Sequence, residues 1–167
     1  MAQLFIVMGF ANWGKSNTLR NLFDRHTFFS TKSPIYLPQT DKLFTVINMS
    51  NDDIGIQKYS DNFQAVSQLH NRRNHNYVIT LCPVLDNGRK DCRPFFPIIT
   101  TGYSIHVITL GNKWHGDGNI DRQLANQIAG LIGTNNQLYC EEVIDKSATI
   151  FNQRTQRIRK YILANAN

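Results

Sequence analysis

An α/β domain is the fold class the sequence predicts: a mostly parallel five-stranded sheet with helices on both faces. Three observations predict it. Apolar runs of strand length recur along the chain, and stretches with helical spacing lie between them. Regular alternation of the two favours parallel pairing with crossovers covering both sides of the sheet. A length of 167 residues suits one domain with a single core, and no repeat, linker or composition break suggests a second.

The first strand is expected over Gln3 to Met8, centred on the apolar run Leu4-Phe5-Ile6-Val7-Met8. A helix from Lys15 to Phe23 would bury Leu19, Leu22 and Phe23 on one face. Asp24 to Ser33 alternates aromatic and polar residues and reads as loop. Ile35-Tyr36-Leu37 is a candidate short strand, confined by Pro38 to an edge or a turn. Leu43 to Met49 is the second main strand and ends in the polar cluster Ser50-Asn51-Asp52-Asp53, followed by Ile54-Gly55. Ser60 or Asp61 would cap a helix reaching about Arg72, with Phe63, Val66 and Leu69 inward. Tyr77 to Cys82 is the third main strand, stopped by Pro83.

Val84 to Arg93 reads as a surface loop around the turn signal Asp86-Asn87-Gly88. Pro94 to Ile99 suits a short helix or a covering loop. Tyr103 to Leu110 is the fourth main strand, and Gly111 to Asn119 reads as a mobile glycine-bearing segment. Asp121 would cap a helix to Ile132, with Leu124, Ile128, Leu131 and Ile132 inward. Leu138 to Ile144 is the fifth strand. The last helix, Ser147 to Leu163, places Ile150, Phe151, Ile158 and Ile162 on one side and Arg154, Arg157, Arg159 and Lys160 on the other.

A formal net charge of +6 favours anionic partners: nucleotides, nucleic acid or an acidic surface. Glutamate occurs only at Glu141 and Glu142, so catalytic carboxylates must come mainly from aspartates. Three cysteines, Cys82, Cys92 and Cys140, are an odd set without close pairing and fit a reducing compartment. No His/Cys spacing suggests zinc. The first residues carry no basic lead and no long apolar core, and no run is long enough to span a bilayer. A cytoplasmic protein without a membrane partner is expected.

Chemistry concentrates in the turn after the first strand. Gly9, four intervening residues and Gly14-Lys15-Ser16 spell G-x-x-x-x-G-K-S between a predicted strand and a predicted helix. Gly9 would let the chain leave the strand at an unusual backbone angle. Gly14 would let the main chain approach a phosphate closely, and successive N–H groups would point inward as an anion nest. The helix starting near Lys15 adds its positive end. Lys15 would reach the β- and γ-phosphates, and the Ser16 hydroxyl would be a ligand of Mg²⁺. The expected cradle is thus Gly9, Phe10, Ala11, Asn12, Trp13, Gly14, Lys15, Ser16 and Asn17. Trp13 would either shield the phosphates or pack against neighbouring loops.

On these residues the chain resembles the P-loop NTPase superfamily. The specific match covers Gly9 to Ser16, and the strand and helix alternation extends a weaker likeness over most of the chain. The resemblance implies binding of ATP, or another nucleoside triphosphate, with Mg²⁺. It also implies a second acid on the metal side at the end of an apolar strand, but the third strand ends in Cys82-Pro83. Asp52 and Asp53 are the better-placed acids, since they follow the second strand directly.

Likeness to small-molecule and nucleotide kinases would make Asp52 or Asp53 the group that positions or deprotonates an acceptor hydroxyl. Gly111 to Arg122 would then resemble a lid, with Lys113 or Arg122 on the transferred phosphoryl group. Likeness to GTPases rests on Asp52-Asp53-Ile54-Gly55 as a D-x-x-G switch and on Asn112-Lys113-Trp114-His115 near N-K-x-D, with His115 where the guanine-reading carboxylate should stand. A kinase-like phosphotransferase is the leading expectation. A nucleotide hydrolase, a nucleotide-dependent switch or a subunit of a larger assembly is the alternative. The basic last helix is a candidate surface for nucleic acid or a protein partner. His106, inside a strand, is expected to be a core histidine rather than a base.

Overall fold

The computed structural model describes residues 1–27, 29–70, 74–113, 116–119, 122–133, 136–141 and 148–167. In chain order the elements are β1 (Ala2–Met8), α1 (Lys15–Leu22), β2 (Ile35–Tyr36), β3 (Leu43–Ile47), α2 (Asn51–Ile54), α3 (Ile56–Leu69) and β4 (Asn76–Leu81). A short 3₁₀ turn (Arg93–Phe95) leads into α4 (Phe96–Ile99), β5 (Tyr103–Thr109), β6 (Asn112–Lys113) and β7 (Gly116–Asn119). The chain ends with α5 (Arg122–Ile132), β8 (Gln137–Cys140) and α6 (Ala148–Asn165).

The main sheet has six strands in the order β2-β3-β4-β1-β5-β8. All neighbours are parallel except β2, which pairs antiparallel with β3 through Ile35 opposite Phe44. The expected count of five is corrected by β2, a two-residue edge strand that Pro38 keeps from growing. β1 lies between β4 and β5, so the turn that follows it leaves the middle of the sheet's carboxyl edge.

Alternation along β1 divides the core. Leu4, Ile6 and Met8 face one layer with α3, α4 and α5, through Phe63, Val66, Phe96, Ile99 and Ile128. Phe5 and Val7 face the other with α1 and α6, through Leu19, Leu22, Ile158 and Ile162. A strand buried on both faces reads as a continuous apolar run, which is why β1 carries no polar alternation. His106 on β5 joins the second layer. It stacks on Phe5 with ring centroids 4.8 Å apart, meets Tyr161 Oη at 3.1 Å and donates from Nε2 to Gln3 Oε1 at 3.0 Å. Burial lowers its pKa, so it is a satisfied core residue.

Several boundaries differ from expectation for identifiable reasons. The helix expected from Ser60 or Asp61 begins at Ile56, because Gly55, at φ 83°, ends α2 and starts α3 in one residue. Asp61 is therefore inside the helix, accepting from Gln57 Nε2 at 3.0 Å. Leu69, expected inward, is 63% exposed. Pro94 to Ile99 is helical, in two short pieces. The segment Gly111 to Asn119, expected to be mobile, contributes the antiparallel pair β6 and β7. The polar cluster after β3 is a helical turn rather than a loop. Asp121, Arg72, and residues 142–147, with the end of the expected fifth strand, fall outside the described residues. Among the described residues no helix is long and apolar enough to cross a membrane.

Candidate functional site

The turn between β1 and α1 forms one wall of a cavity of about 610 Å³ at the carboxyl edge of the sheet. Ala11 to Asn17 line it together with Ser50, Asp52 and Asp53. The turn is built by local geometry. Trp13 N–H donates to Phe10 C=O at 3.2 Å, and Asn12 takes φ 63°, a left-handed angle that asparagine tolerates. Gly14 follows at φ 82° and is the residue before the helix, whose first turn is locked by Thr18 N–H and Thr18 Oγ1, both donating to Gly14 C=O at 2.8 and 2.9 Å. Two left-handed residues thus flank Trp13, whose own N–H is taken up by Phe10 C=O.

Gly9 is required for a different reason from the one the sequence suggests. Its backbone does not take a left-handed angle. A Cβ there would sit 3.2 Å from Trp13 Cβ and 3.5 Å from Leu110, so the residue is constrained by room. Trp13 itself is 5% exposed, lies edge-on to Phe10 at 5.3 Å, and belongs to the core layer under α1 while still contributing to the cavity. The choice between shielding and packing is thus settled for packing, with one side left on the cavity.

Lys15 is buried. Its Nζ donates to Gly9 C=O at 2.9 Å and to Phe10 C=O at 3.1 Å, and lies 3.7 Å from Asp52 Oδ2. The ammonium is thereby held across the mouth of the turn, with a carboxylate facing it. Ser16, half-buried, stands at the cavity's end.

The two acids that the sequence leaves equivalent are distinguished by α2. Ser50 and Asp53 form a capping box: Ser50 N–H donates to Asp53 Oδ2 at 3.0 Å. Asp53 is exposed and reaches both this cavity and a neighbouring one. Asp52 faces Lys15, accepts from Ser50 Oγ and is hydrogen-bonded to the Cys82 thiol. Burial and the adjacent Asp52 push that thiol up to about 12, so Cys82 stays protonated and donates. The residue that ends the third main strand therefore supplies no charge, and Asp52 of the adjacent strand's extension brings the carboxylate to the lysine instead.

Asn51 fixes this arrangement and was not singled out by sequence reading. Fully buried, it accepts from Cys82 N–H at 2.7 Å and donates to Cys82 C=O at 3.0 Å and Lys90 C=O at 2.6 Å. Its amide thus continues the β3–β4 ladder beyond the last strand residue and ties α2 to the loop after β4. That loop is in turn anchored by Asp91, which accepts from Arg93 and from Asn87 N–H and is held by them at about 2. One signal for the turn was present in the chain: Ser50 three residues before Asp53 is a capping-box spacing.

Of the basic residues assigned to the outer side of the last helix, Arg154 is corrected most. It is 1% exposed, with its guanidinium 5.1 Å over the Phe151 ring. Its Nη2 is 3.3 Å from where a Gly14 Cβ would lie, and Nε and Nη2 have no hydrogen-bond partner among the described residues. Burial lowers its pKa to about 10, so it remains a cation at neutral pH behind the turn. Replacing it by methionine removes a buried charge whose Nε and Nη2 lack partners among the described residues, and is expected to stabilise the fold by about 1–3 kcal/mol. Urea unfolding of Arg154→Met measures the change. A destabilised variant would show that the guanidinium is a structural pair.

Arg157 bonds Glu141 Oε2 at 2.7 Å, and Arg159 donates to the carbonyls of Leu22 and Pro38. Lys160 is exposed. Two of these four cations, Arg157 and Arg159, are thus turned to the chain's own acceptors. Arg122 is the first residue of α5, but its side chain, like that of Lys113 and the residues Trp114 and His115, falls outside what is described. Among the described residues no group of three or more His, Cys, Asp or Glu side chains could hold a metal ion.

The geometry therefore unites Ala11 to Asn17 with Asp52 and Asp53 in one cavity, leaves Gly9 and Phe10 outside its lining as the carbonyls that hold Lys15, and leaves Arg122 unplaced. Comparison with protein-family models, curated proteins and solved structures finds no match to this chain.

Proposed function

We propose that this chain is a P-loop phosphotransferase that binds a nucleoside triphosphate, ATP by preference, with Mg²⁺. The observation that carries the proposal is Lys15: a buried ammonium held at the mouth of a glycine-bounded turn, on the central strand's carboxyl end, facing Asp52 at 3.7 Å. A parallel α/β sheet binds ligands at that edge. The turn's amides and the start of α1 supply donors for a polyphosphate, and Lys15 supplies the charge for its terminal oxygens.

Mg²⁺ fits this donor set only in its usual manner, shared with phosphate oxygens and water. The Ser16 hydroxyl and the Asp52 carboxylate are the protein groups available, and no all-protein cage exists among the described residues. The ion would neutralise charge on the phosphates.

Asp53, at the open end, is the group to receive a proton from an acceptor hydroxyl. In the transfer the acceptor oxygen forms a bond to the terminal phosphorus. The bond from that phosphorus to the bridging oxygen breaks, and the nucleoside diphosphate leaves with the electron pair. The hydroxyl proton passes to the Asp53 carboxylate.

The alternative, a nucleotide-dependent switch or slow hydrolase, is favoured by Cys82, which stands uncharged at the end of β4. Incubation with ATP labelled in its terminal phosphate, with and without a panel of small hydroxyl-bearing acceptors, separates the two. Labelled product beyond inorganic phosphate is the expected result; phosphate alone, or binding without turnover, would select the alternative.

A further inference from the structure

A second cavity, of about 720 Å³, opens beside the first and shares Ser16 and Asp53 with it. Its walls are unlike those of the phosphate cavity. Phe29, Val46, Met49 and Leu69 make it mostly apolar. Met49 and Leu69 are 48% and 63% exposed, so large apolar groups stand uncovered at the wall. Isolated exposed apolar residues are ordinary, but two around one concave site mark a place for a ligand.

Polar side chains interrupt this surface, and two of them stand out. Arg20, one turn beyond Ser16 on α1, and Asn48, just past β3, each carry a buried atom, Nε and Oδ1, with no hydrogen-bond partner among the described residues. One is a donor and the other an acceptor. Both side chains are half-buried and line the cavity, so a ligand with a complementary edge that draws these atoms toward it would recover the free energy of leaving them unpaired. Asp53 stands at the junction of the two cavities. A hydroxyl on a molecule seated in the second cavity would meet both that carboxylate and the terminal phosphorus of a nucleotide in the first.

We infer that the second cavity is the acceptor site and that the acceptor is a heteroaromatic alcohol of nucleoside size. This rests on the phosphotransfer reading above. A flat heterocycle matches the apolar walls, and its edge accepts from Arg20 and donates to Asn48. The hydroxyl on its attached polar arm reaches Asp53. A simple aliphatic alcohol would leave both unpaired atoms unsatisfied, and a free sugar offers nothing to Phe29 and Val46.

The experiment uses the full chain with Mg-ATP and the common ribonucleosides and deoxyribonucleosides, one at a time. Calorimetric binding of Mg-ATP is measured first, then transfer of labelled phosphate to each nucleoside. At least one nucleoside is expected to accept label, whereas glycerol and glucose should not. In Asn48→Leu, KM for that nucleoside should rise roughly tenfold or more while the Kd for Mg-ATP stays within about twofold. Arg20→Met, from another element, repeats the measurement if Asn48→Leu fails to fold. Mg-ATP binding without transfer to any nucleoside, transfer to sugars instead, or a KM unchanged in both variants overturns the acceptor assignment alone. Failure of the wild-type chain to bind Mg-ATP overturns the phosphotransfer reading and this inference with it.

Discussion

Lys15→Ala is expected to raise the Kd for Mg-ATP roughly 100-fold while leaving the fold intact. The size follows from position. Lys15 is buried and its ammonium is held by two carbonyls and a carboxylate, so its interaction with a polyphosphate would be little screened by solvent. Truncating one partner of such a desolvated charge pair costs about 2–5 kcal/mol, and each 1.4 kcal/mol is about a factor of ten. The fold should survive because the lost contacts belong to the turn: Gly9 and Phe10 carbonyls lose a donor, a loss of about 1–2 kcal/mol. Calorimetric titration and urea unfolding on the same preparation check the two halves. An affinity equal to that of the parent would remove the lysine, and the nucleotide assignment with it, from the mechanism. Lys15→Arg is expected to bind weakly too, since a planar fork does not fit where a compact ammonium bridges two adjacent carbonyls.

Asn51→Ala should produce the largest loss of stability, about 3–4 kcal/mol. One amide satisfies Cys82 N–H and Cys82 C=O in a buried place, and Lys90 C=O in a partly buried one. Alanine strands the two Cys82 groups, and the tie between α2 and the loop after β4 is lost with them. For a chain of this length the melting temperature should fall by about 10 °C. Asn51→Asp makes a stringent comparison: it keeps the oxygen that Cys82 N–H needs, yet turns a carboxylate toward two carbonyls, and should be no better than alanine. Phosphotransfer should suffer beyond the stability loss, because Asp52 and Asp53 ride on the turn that Asn51 anchors. Unfolding midpoints within experimental error of the parent for both variants would show that the amide bridge is dispensable.

The parts of the fold legible in the chain were those governed by local pattern. β1, β3, β4 and β5 are apolar runs because each is covered on two faces, and Gly9 with Gly14-Lys15-Ser16 announces a turn because glycine and polar residues end the apolar run. The start of α3 was misread because Gly55 and the capping box at Ser50 signal a short helix and then a second one without any gap. β2 was legible only as a candidate, since two residues carry too little pattern to separate strand from turn. Arg154 was misplaced because helical spacing puts it beside other arginines, while Phe151 and Gly14, which enclose it, come from its own helix and from a turn far away in the chain.

By itself the sequence determined the layered α/β class, the glycine-bounded turn after the first strand and the short list of acids, since each depends on residues within a few positions of one another. Only the tertiary structure decided that Asp52 faces Lys15 while Asp53 stands between two cavities, that Cys82 is an uncharged donor, and that Asn51 holds the turn. Those choices depend on which strand lies next to β1 and on contacts between segments thirty or more positions apart, a separation over which no spacing rule of the chain carries information.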